Sequence, residues 1–576
     1  MANGMGSLWV GASGLQNAQN GLNTTANNIS NVDTTGYVRQ QVVYGDRNYI
    51  NFNKTASISY QQAGLGVTIA DVVHARDIFL DKTYRTENGR YAFYSTTYEA
   101  VSEIENYFQE LEGDAFEDIL TGDSGLWVAF QEFAKDPSDS VNQNLVLQKS
   151  ELFLTRAKAV CTSMRTYQDN LNEQIKDSVE RVNELGETIC ELNKQIQAIE
   201  AAGVETAYDL RDARDNALDE LSSYGKISYR ELANGIVKVS FEDVEFVDEL
   251  KNYTIGMRTD DLTGFVTPVW DHMSDESQDV YRDVFNFDGE ISTAKKNDIG
   301  SLKALCLARG DGWADYSDIE GVTSTAYDKG IAKSVMLNVE AEFDQLIHNI
   351  VTAINDAICP NIEATSDITG YDSSGNAVTI SAGTLILDTD NCATGADGVI
   401  PPAELFVRTG CDRYTTVYGN DGTTYYVYNE EDTSDTSLMY TVNSVHINED
   451  LMKYPTNLAN LSQDGSISYE LGETLAAIWS ETNLTLNPND TTPVTFAEYY
   501  SKMTGELATV GDVYNSTAQG LDSTVTTVDN ARLQVTGVSS DEELTNMIKY
   551  QNAYNASSRF INVVSEMLEY IITQLG

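Results

Sequence analysis

Residues 161–199 read CTSMRTYQDNLNEQIKDSVERVNELGETICELNKQIQAI, and their apolar pattern is the clearest indication of the architecture. From Cys161, positions taken alternately three and four residues apart are apolar in ten of twelve cases, with Gln168 and Ser178 as the polar exceptions. A seam with this period predicts one continuous α-helix about 55–60 Å long, at 1.5 Å per residue. A rod of that length buries its seam only against other long helices, so we expect a helical bundle.

Partner helices for this rod are predicted much later in the chain. Apolar positions repeat with helical spacing in 334–358 and again in about 498–535. Because these segments lie far apart in sequence, the bundle must be discontinuous. Short Tyr-, Thr- and Val-rich runs with Gly-containing turns fill 227–290 and, more strongly, 362–472, and we interpret both stretches as β-rich insertions.

Each end of the chain carries a further heptad seam. The N-terminal series passes through Leu8, Leu15, Leu22 and Ile29, with Gln19 as its one polar member. Because each end offers a single stripe, we expect the two terminal helices to pair with each other and with copies of the chain, and to be mobile in the isolated monomer. The C-terminal series includes Tyr554, Ile561, Val564, Leu568, Ile571 and Leu575.

The predicted fold is therefore multi-domain α+β, with a long discontinuous helical bundle formed by the N- and C-terminal parts of the chain and β-rich inserted outer domains. The predicted segments are a terminal helix with a following turn and extended segment (1–80), the long-helix bundle (81–226), a β-rich insertion (227–300), a helical return to the bundle (301–361), a variable β-rich outer domain (362–475), a C-terminal bundle helix (476–540) and a C-terminal terminal helix (541–576).

The charge of the chain is large and unevenly distributed. There are 88 acidic and 36 basic side chains, a formal net charge of −52. Residues 1–80 carry no net charge and 541–576 carry −3, which leaves −49 for the middle. So acidic a surface repels phosphate backbones and anionic lipids, which excludes nucleic-acid and membrane partners. The neutral ends are expected to pack against identical copies, and the acidic middle to face solvent, where salt screens repulsion.

No catalytic or metal-binding constellation is recognisable. The four histidines have no metal-ligand spacing between any two of them, and the HExxH motif is absent. The six cysteines form no CxxC pair and are expected to be free thiols, although pairing of Cys392 with Cys411 stays open. We therefore predict no enzyme activity, no cofactor and no metal.

Residues 26–40 read ANNISNVDTTGYVRQ. This stretch resembles the signature of the bacterial flagellar axial proteins (rod, hook and hook-associated proteins), in which an N-terminal helix ends in an Asn-rich turn followed by Gly and an aromatic residue. Asn and Gly tolerate left-handed and cap conformations, so a helix can stop sharply here. The residues that carry the resemblance are Asn27, Asn28, Asn31, Gly36, Tyr37 and Arg39.

Further blocks resemble the hook-associated members of this family. They cover about 1–240, 300–358 and 500–576, whereas 362–472 has no placed resemblance. The blocks that carry this resemblance include 64–67, 76–80, 124–126, 136–137, 209–215 and 537–544.

The resemblance implies a structural component of the flagellum that polymerises through its terminal helices to form the junction zone between hook and filament. It implies as partners copies of the chain in a ring or short helical tube, hook protein, the second hook–filament junction protein, and an export chaperone on the C-terminal seam. It also implies an extracellular location reached by type III export without a cleavable signal peptide. The N-terminus fits that route, because no charged region precedes an apolar stretch.

Two alternatives remain open at this point. The first is a hook or distal rod protein of the same axial family, against which the 161–199 seam and the 209–215 block argue. The second is a secreted adhesin whose outer module at 362–475 binds a host ligand. We interpret the integrin-type tripeptide at 309–311 as a chance match, because three-residue matches arise often.

Overall fold

The structure is a computed structural model, and it describes residues 2–46, 50–51, 62–63, 66–108, 115–201, 206–249, 251–289 and 291–575. The predicted segment 1–80 therefore lies partly outside the described residues. None of the described helices combines the length and the hydropathy that a membrane span requires.

Helices dominate both ends of the chain and the region around the long seam. The helices are α1 (Ala2–Ser30), α2 (Ile78–Phe108), α3 (Phe116–Thr121), α4 (Leu126–Lys135), α5 (Ser140–Glu200), α6 (Tyr208–Tyr224), α7 (Ser301–Arg309), α8 (Ser324–Lys329), α9 (Val335–Ile358), α10 (Glu449–Lys453), α11 (Tyr469–Ala477), α12 (Phe496–Thr536) and α13 (Ser540–Leu575).

The strands form small antiparallel sheets. They are β1 (Gln40–Asp46), β2 (Ile50–Asn51), β3 (Gln62–Ala63), β4 (Val67–His74), β5 (Ile227–Glu231), β6 (Val237–Phe241), β7 (Val244–Val247), β8 (Ile255–Thr259), β9 (Val266–Trp270), β10 (Asn361–Glu363), β11 (Ile368–Asp372), β12 (Ala377–Ile380), β13 (Leu385–Leu387), β14 (Phe406–Arg408), β15 (Tyr414–Gly419), β16 (Thr424–Tyr428) and β17 (Val445–Ile447). Long helices around inserted sheets confirm the predicted α+β class.

The chain divides into two compact units. The first unit comprises Met1–Ala92, Arg181–Thr254 and Gln519–Gly576, and the second comprises Phe93–Glu180 and Ile255–Ala518. The helices α2, α5 and α12 contribute residues to both units.

Long helices and the β-rich outer region share one large core in the second unit. Aromatic rings fill its centre: the Phe116 ring lies 5.1 Å from that of Phe343 on α9 and 5.3 Å from that of Tyr500 on α12. The outer six-stranded sheet has the order β10-β13-β16-β15-β11-β12. Asn355 of α9 holds the neighbouring strand β14 by donating to the Phe406 carbonyl (2.7 Å) and accepting from its N–H (3.1 Å). The outer strands are thereby tied to the helical core.

In the first unit, the three-stranded sheet β5-β6-β7 packs on the end of α5. Asn193 donates to the carbonyl of Val237 (2.8 Å) and accepts from its N–H (3.0 Å). Both backbone groups of this buried strand residue thereby have hydrogen-bond partners. Gly186 lets the sheet approach, because a Cβ atom there would lie 2.5 Å from the Phe246 ring. The helix that contains the predicted seam, α5, is longer than expected. It has 61 residues and is therefore about 92 Å long.

Candidate functional site

The terminal helices α1 and α13 pack side by side in antiparallel directions. We call this helix pair the terminal hairpin, although its two helices come from opposite ends of the chain. Its contact line in α1 is glycine rather than leucine, and a Cβ atom at each of these glycines would come within 3 Å of an α13 side chain. Because Gly has no side chain, the two backbones can approach closely. The facing pairs are Gly11 with Ile561, Gly14 with Ser557, and Gly21 with Tyr550.

The predicted N-terminal seam lies beside this contact line. Leu8, Leu15, Leu22 and Ile29 are each half-buried. The same helix leaves Trp9 62% exposed. The assembly role predicted for these four side chains stays a prediction. The leucines remain partly open for another partner.

The C-terminal seam faces α1. Tyr554, Ile561 and Leu568 are half-buried and Val564 is buried, whereas Ile571 near the helix end is 41% exposed. The side chain of Leu575 lies outside the described residues. A second apolar stripe of α13 is exposed to solvent, with exposed fractions of 44–67% at Phe560, Val563, Met567 and Tyr570.

The Asn-rich turn ends α1 through side-chain hydrogen bonds. The Asn31 side chain donates to the Asn27 carbonyl (3.0 Å), which also accepts the Asn31 backbone N–H (3.2 Å). Asn28 is buried and bridges back to strand β1, donating to the Gln40 carbonyl (2.9 Å) and accepting from its N–H (3.1 Å). The Tyr37 hydroxyl also donates to Asn28 Oδ1 (2.9 Å). These bonds fold the chain back along its own helix.

Gly36 and Tyr37 anchor this turn on α6. Gly36 has φ +76°, and a Cβ atom there would overlap the Asn216 side chain at 2.1 Å, so both its backbone and its surroundings require glycine. Burial, with the nearby carboxylates Asp209 and Asp212, raises the pKa of Tyr37 to about 12. The phenol is therefore a hydrogen-bond donor at any physiological pH.

Arg39 ties the turn to the start of α13. Its Nε donates to Glu543 Oε1 (2.8 Å), and a second guanidinium nitrogen lies 3.0 Å from Glu542. Burial alone lowers the pKa of Arg39, but the two glutamates outweigh it and raise the pKa. The Arg39 N–H also donates to the Thr536 carbonyl at the end of α12 (2.8 Å). One residue thus contacts both C-terminal helices.

Asp212 of α6 and His74 of β4 meet behind the turn. Asp212 Oδ2 accepts from the Val38 N–H (3.0 Å), and its Oδ1 lies 3.4 Å from His74 Nδ1. Burial raises the pKa of Asp212 to about 7 and lowers the pKa of His74 to about 4, with Arg76 also lowering the latter. The His74 ring is neutral at pH 7, while Asp212 titrates there.

Six buried charges form a closed alternating ring next to this turn. Each arginine contacts two aspartates and each aspartate two arginines, and the side chains are only 3–19% exposed. The ring joins the start of α2, the middle of α6 and the end of α12, and we call it the charge ring. In order it runs Arg76, Asp81, Arg532, Asp219, Arg85, Asp215 and back to Arg76.

Sequence reasoning missed the glycine contact line and the charge ring. The glycines leave a signal, since Gly11, Gly14 and Gly21 recur at spacings of three and seven. The charge ring leaves almost none, because Arg532 and Asp219 are 313 residues apart.

The structure also places the integrin-type tripeptide and the cysteines that the sequence singled out. Arg309 of the integrin-type tripeptide is buried, and its guanidinium donates to Asn172 (2.7 Å) and to the Val266 carbonyl (2.8 Å). It is not available to a receptor. Cys392 and Cys411 are both free thiols. Within the described ranges, no group of three or more His, Cys, Asp or Glu side chains has the arrangement of a metal site.

Three family models match the chain. The flagellar hook-associated protein FlgK helical domain matches residues 101–370. The flagella basal body rod protein model matches 8–37, and the flagellar basal body rod FlgEFG protein C-terminal model matches 530–575. The end models thus cover α1 with its turn, and α13 with the last residues of α12.

Individual proteins agree with these matches. Flagellar hook-associated protein 1 of Bacillus subtilis (strain 168) is 24% identical over 563 residues, covering 97% of this chain and 96% of that protein. The Salmonella typhimurium protein of the same name is 27% identical over 211 residues, 36% of each chain. Among solved structures, the flagellar hook junction protein FlgK from Burkholderia pseudomallei gives a TM-score of 0.48 at 12% identity, over 79% of this chain and 100% of that one.

The matched segments fall on the terminal hairpin and on the long-helix region, and one relative is similar along nearly the whole chain. The chain is similar to flagellar hook-associated protein 1 along nearly its whole length.

Proposed function

We propose that this protein is a structural, non-catalytic building block of the junction zone between hook and filament, and that it polymerises through its terminal hairpin. The observation that carries the proposal is the unpartnered apolar surface of that hairpin. On α13, Met567 is 61% and Tyr570 67% exposed, and on α1, Trp9 is 62% exposed. Contiguous exposed apolar surface of this kind is typical of an interaction site.

Charge supports contact between copies at the same place. Helix α1 contains no charged residue over its 29 positions, although the whole chain carries −52. Two such acidic molecules approach most easily where neither carries charge. A contact that joins one surface of the hairpin to a different surface on the next copy does not close on itself in a dimer, and it generates rings or helical tubes.

The Asn-rich turn at residues 31–39 would hold the terminal hairpin in position during assembly. Arg39 fixes the start of α13, and the charge ring fixes the end of α12. The side chains predicted from sequence keep their proposed roles here: Leu8, Leu15 and Leu22 for contacts of α1 with neighbours, and the distal seam of α13 for contacts within the tube.

Further partners follow from the family. We infer that one edge of the assembled zone contacts hook protein and the other the second junction protein. Before export, an export chaperone would cover the exposed apolar stripe of α13. The protein would then reach the extracellular flagellum by type III export without losing a signal peptide.

The test is to place charge on the exposed stripe. Met567→Asp with Tyr570→Asp adds two negative charges where the proposal has neighbouring copies pack. The matched control, Asn552→Asp with Asn555→Asp, adds the same charge at exposed polar positions of the same helix. We expect the first variant to be absent from flagella and the control to be incorporated. Normal swimming by the Met567/Tyr570 variant contradicts the proposal.

Electron microscopy with a labelled chain gives the location. A single band between hook and filament supports the junction role. Labelling along the hook instead supports the alternative hook-protein assignment, and no label on the flagellum overturns both.

A further inference from the structure

Helix α9 of the second unit carries two buried carboxyl groups one helical turn apart. Glu340 is 4% exposed and Asp344 is 5% exposed. Residues four positions apart lie on the same side of a helix, so the two side chains face the same neighbours. Asp344 accepts hydrogen bonds from two separate segments of the chain, from the Tyr316 N–H (3.1 Å) at one oxygen and from the Val442 N–H (2.7 Å) at the other. It thereby holds both segments against α9.

Glu340 contacts the first of these segments through only one of its oxygens. Its Oε2 accepts from the Ala314 N–H (3.3 Å) and from Gln168 Nε2 of α5 (3.4 Å). Glu340 Oε1 and Gln168 Oε1 are both buried, and neither has a hydrogen-bond donor among the residues that the structure describes. Two acceptor oxygens without a donor, in two side chains that touch, indicate a missing hydrogen atom. A proton on Glu340 supplies it, because a protonated carboxyl group is a donor.

Few charges face this pair from the elements that pack against it. Arg165 of α5 acts on both carboxyl groups, and its guanidinium also lies over the Trp313 ring, 4.8 Å from the centroid. The segment around Val442 brings no charge, since residues 439–444 read MYTVNS. Further titratable groups near the pair are Asp315 beside Asp344, the Cys161 thiol near both carboxyl groups, and His348 one turn further along α9, where burial lowers the pKa of the imidazole.

We propose that Glu340 is the proton-carrying part of a clamp: with its proton it holds residues 314–316 and 440–444 on α9 together with Asp344, and without the proton both segments loosen. The step is an acid dissociation, in which the carboxyl O–H bond breaks and the proton passes to water. Ionised Glu340 places a second negative charge one turn from Asp344, where like charges destabilise a helix. It also leaves a buried charge without a bonded cation, which is costly.

The clamp is tight in acid and loose in weakly alkaline solution. Burial raises the pKa of Glu340 to about 8 and the pKa of Asp344 to about 7, and the opposing effect of Arg165 is smaller. A carboxyl group with a raised pKa in the folded chain stabilises the fold fully below its unfolded pKa, and this contribution is lost as pH rises through the folded pKa. For Glu340 the loss extends from 4.5, its ordinary pKa, to about pH 8.

The clamp acts within one chain and does not depend on the proposed function. Its second segment, 440–444, lies in the β-rich outer region, whereas α9 belongs to the helical core. The pH of the surroundings therefore controls how firmly a part of the outer region is attached to the helices.

Hydrogen exchange of the full chain at pH 6 and pH 8, corrected for the intrinsic pH dependence of exchange, tests the clamp. One proton that is bound only in the closed state changes the opening equilibrium by up to about tenfold per pH unit. We expect the amides of 314–316 and 440–444 to lose at least about tenfold in protection between the two pH values, and those of β5-β6-β7 in the first unit less than about threefold. A uniform loss along the chain, or no loss in the two segments, overturns the proposal.

Glu340→Gln separates the proton from the shape of the side chain. Glutamine keeps the size and an N–H donor but cannot ionise, so the loss of protection between pH 6 and pH 8 should be at least about fivefold smaller than in the wild type. The matched control is Asp311→Asn, the same chemical change at an exposed carboxylate near the first segment, and it should keep the wild-type pH dependence. A pH dependence that Glu340→Gln leaves unchanged overturns the proposal. The wild-type comparison needs no substitution, so it decides the question even where the variant fails to fold.

Discussion

Removing Arg532 from the charge ring should loosen the end of α12 and the start of α13. Arg532 lies 2.9 Å from Asp81, also contacts Asp219, and its guanidinium stacks 4.6 Å from the Tyr84 ring centroid. We choose Arg532→Met, because methionine keeps most of the aliphatic volume and removes the charge. The variant leaves each aspartate with one remaining arginine.

The size of the effect follows from burial. Exposed ion pairs contribute about 0–1 kcal/mol, whereas removing one partner of a buried pair costs about 3–5 kcal/mol. The Arg532 side chain is 14% exposed, Asp81 4% and Asp219 16%, so the pair is closer to the buried case but keeps some access to water. We expect a loss of about 2–4 kcal/mol, including about 0.5–1 kcal/mol from the lost stacking on Tyr84.

Hydrogen exchange is the suitable assay, because a chain with two compact units need not unfold in a single step. At 1.36 kcal/mol per factor of ten, amides near the end of α12 and the first turn of α13 should lose protection by about 30- to 1,000-fold. Arg181→Met is the matched control, since Arg181 also contacts two carboxylates, Glu184 and Glu220, that are 65% and 42% exposed. It should cost less than about 1 kcal/mol, or less than about fivefold in protection.

Two results would refute this reasoning. One is a change of less than threefold at the end of α12 in the Arg532 variant. The other is an equal loss in the Arg181 variant, which would mean that burial of the charge ring has no effect on its strength. Arg532→Lys adds a graded check, because lysine keeps the charge but cannot bind both aspartates with a planar fork.

The other predictions concern packing and pH. Gly14→Leu should separate α1 from α13 and destabilise the hairpin by about 1–3 kcal/mol in urea unfolding, whereas Gly6→Leu should be neutral, because a Cβ atom at Gly6 meets nothing within 4 Å. Because burial raises the pKa of Asp212 to about 7, docking of the turn at Val38 is most stable below about pH 4 and loses that contribution as pH rises to 7; hydrogen exchange of 31–40 should show this in the wild type and not in Asp212→Asn. Burial also raises the pKa of Glu340 to about 8, so Glu340→Gln should melt higher than the wild type at pH 9 and at a similar temperature at pH 5; the same difference at both pH values would contradict a buried neutral carboxyl group.

Helical periodicity predicts where the helices lie, but it does not predict which elements pack against them. The seam from Cys161 lies within α5, and the apolar repeat at 334–358 lies within α9. Periodicity missed that α5 begins at Ser140, because the buried series in its first turns contains the polar residues Gln143 and Ser150 between Val146, Phe153 and Ala157. The segment boundaries proposed from sequence stay predictions.

The order of strands in the outer sheet could not be derived from sequence. Turn dipeptides indicate where strands end, but β13 pairs with β10 and β16 rather than with β12, its neighbour in sequence. Such pairing depends on side chains that meet only after folding. The family resemblance of residues 26–40 is confirmed by the matches, and the structure gives its physical basis: Gly36 fits where a Cβ atom would overlap Asn216, and Asn28 satisfies the backbone of Gln40.

The placement of leucine in α1 is itself an argument for assembly. A hairpin that functioned alone would bury its four large apolar side chains fully, whereas here three glycines lie against α13 and Leu8, Leu15, Leu22 and Ile29 stay half-buried. Full burial of one such side chain contributes about 1.5–3 kcal/mol, so the four together still have about 3–6 kcal/mol to gain. A neighbouring copy that covers the exposed parts of these side chains recovers that free energy. The contact between α1 and α13 alone therefore leaves apolar surface that assembly can bury.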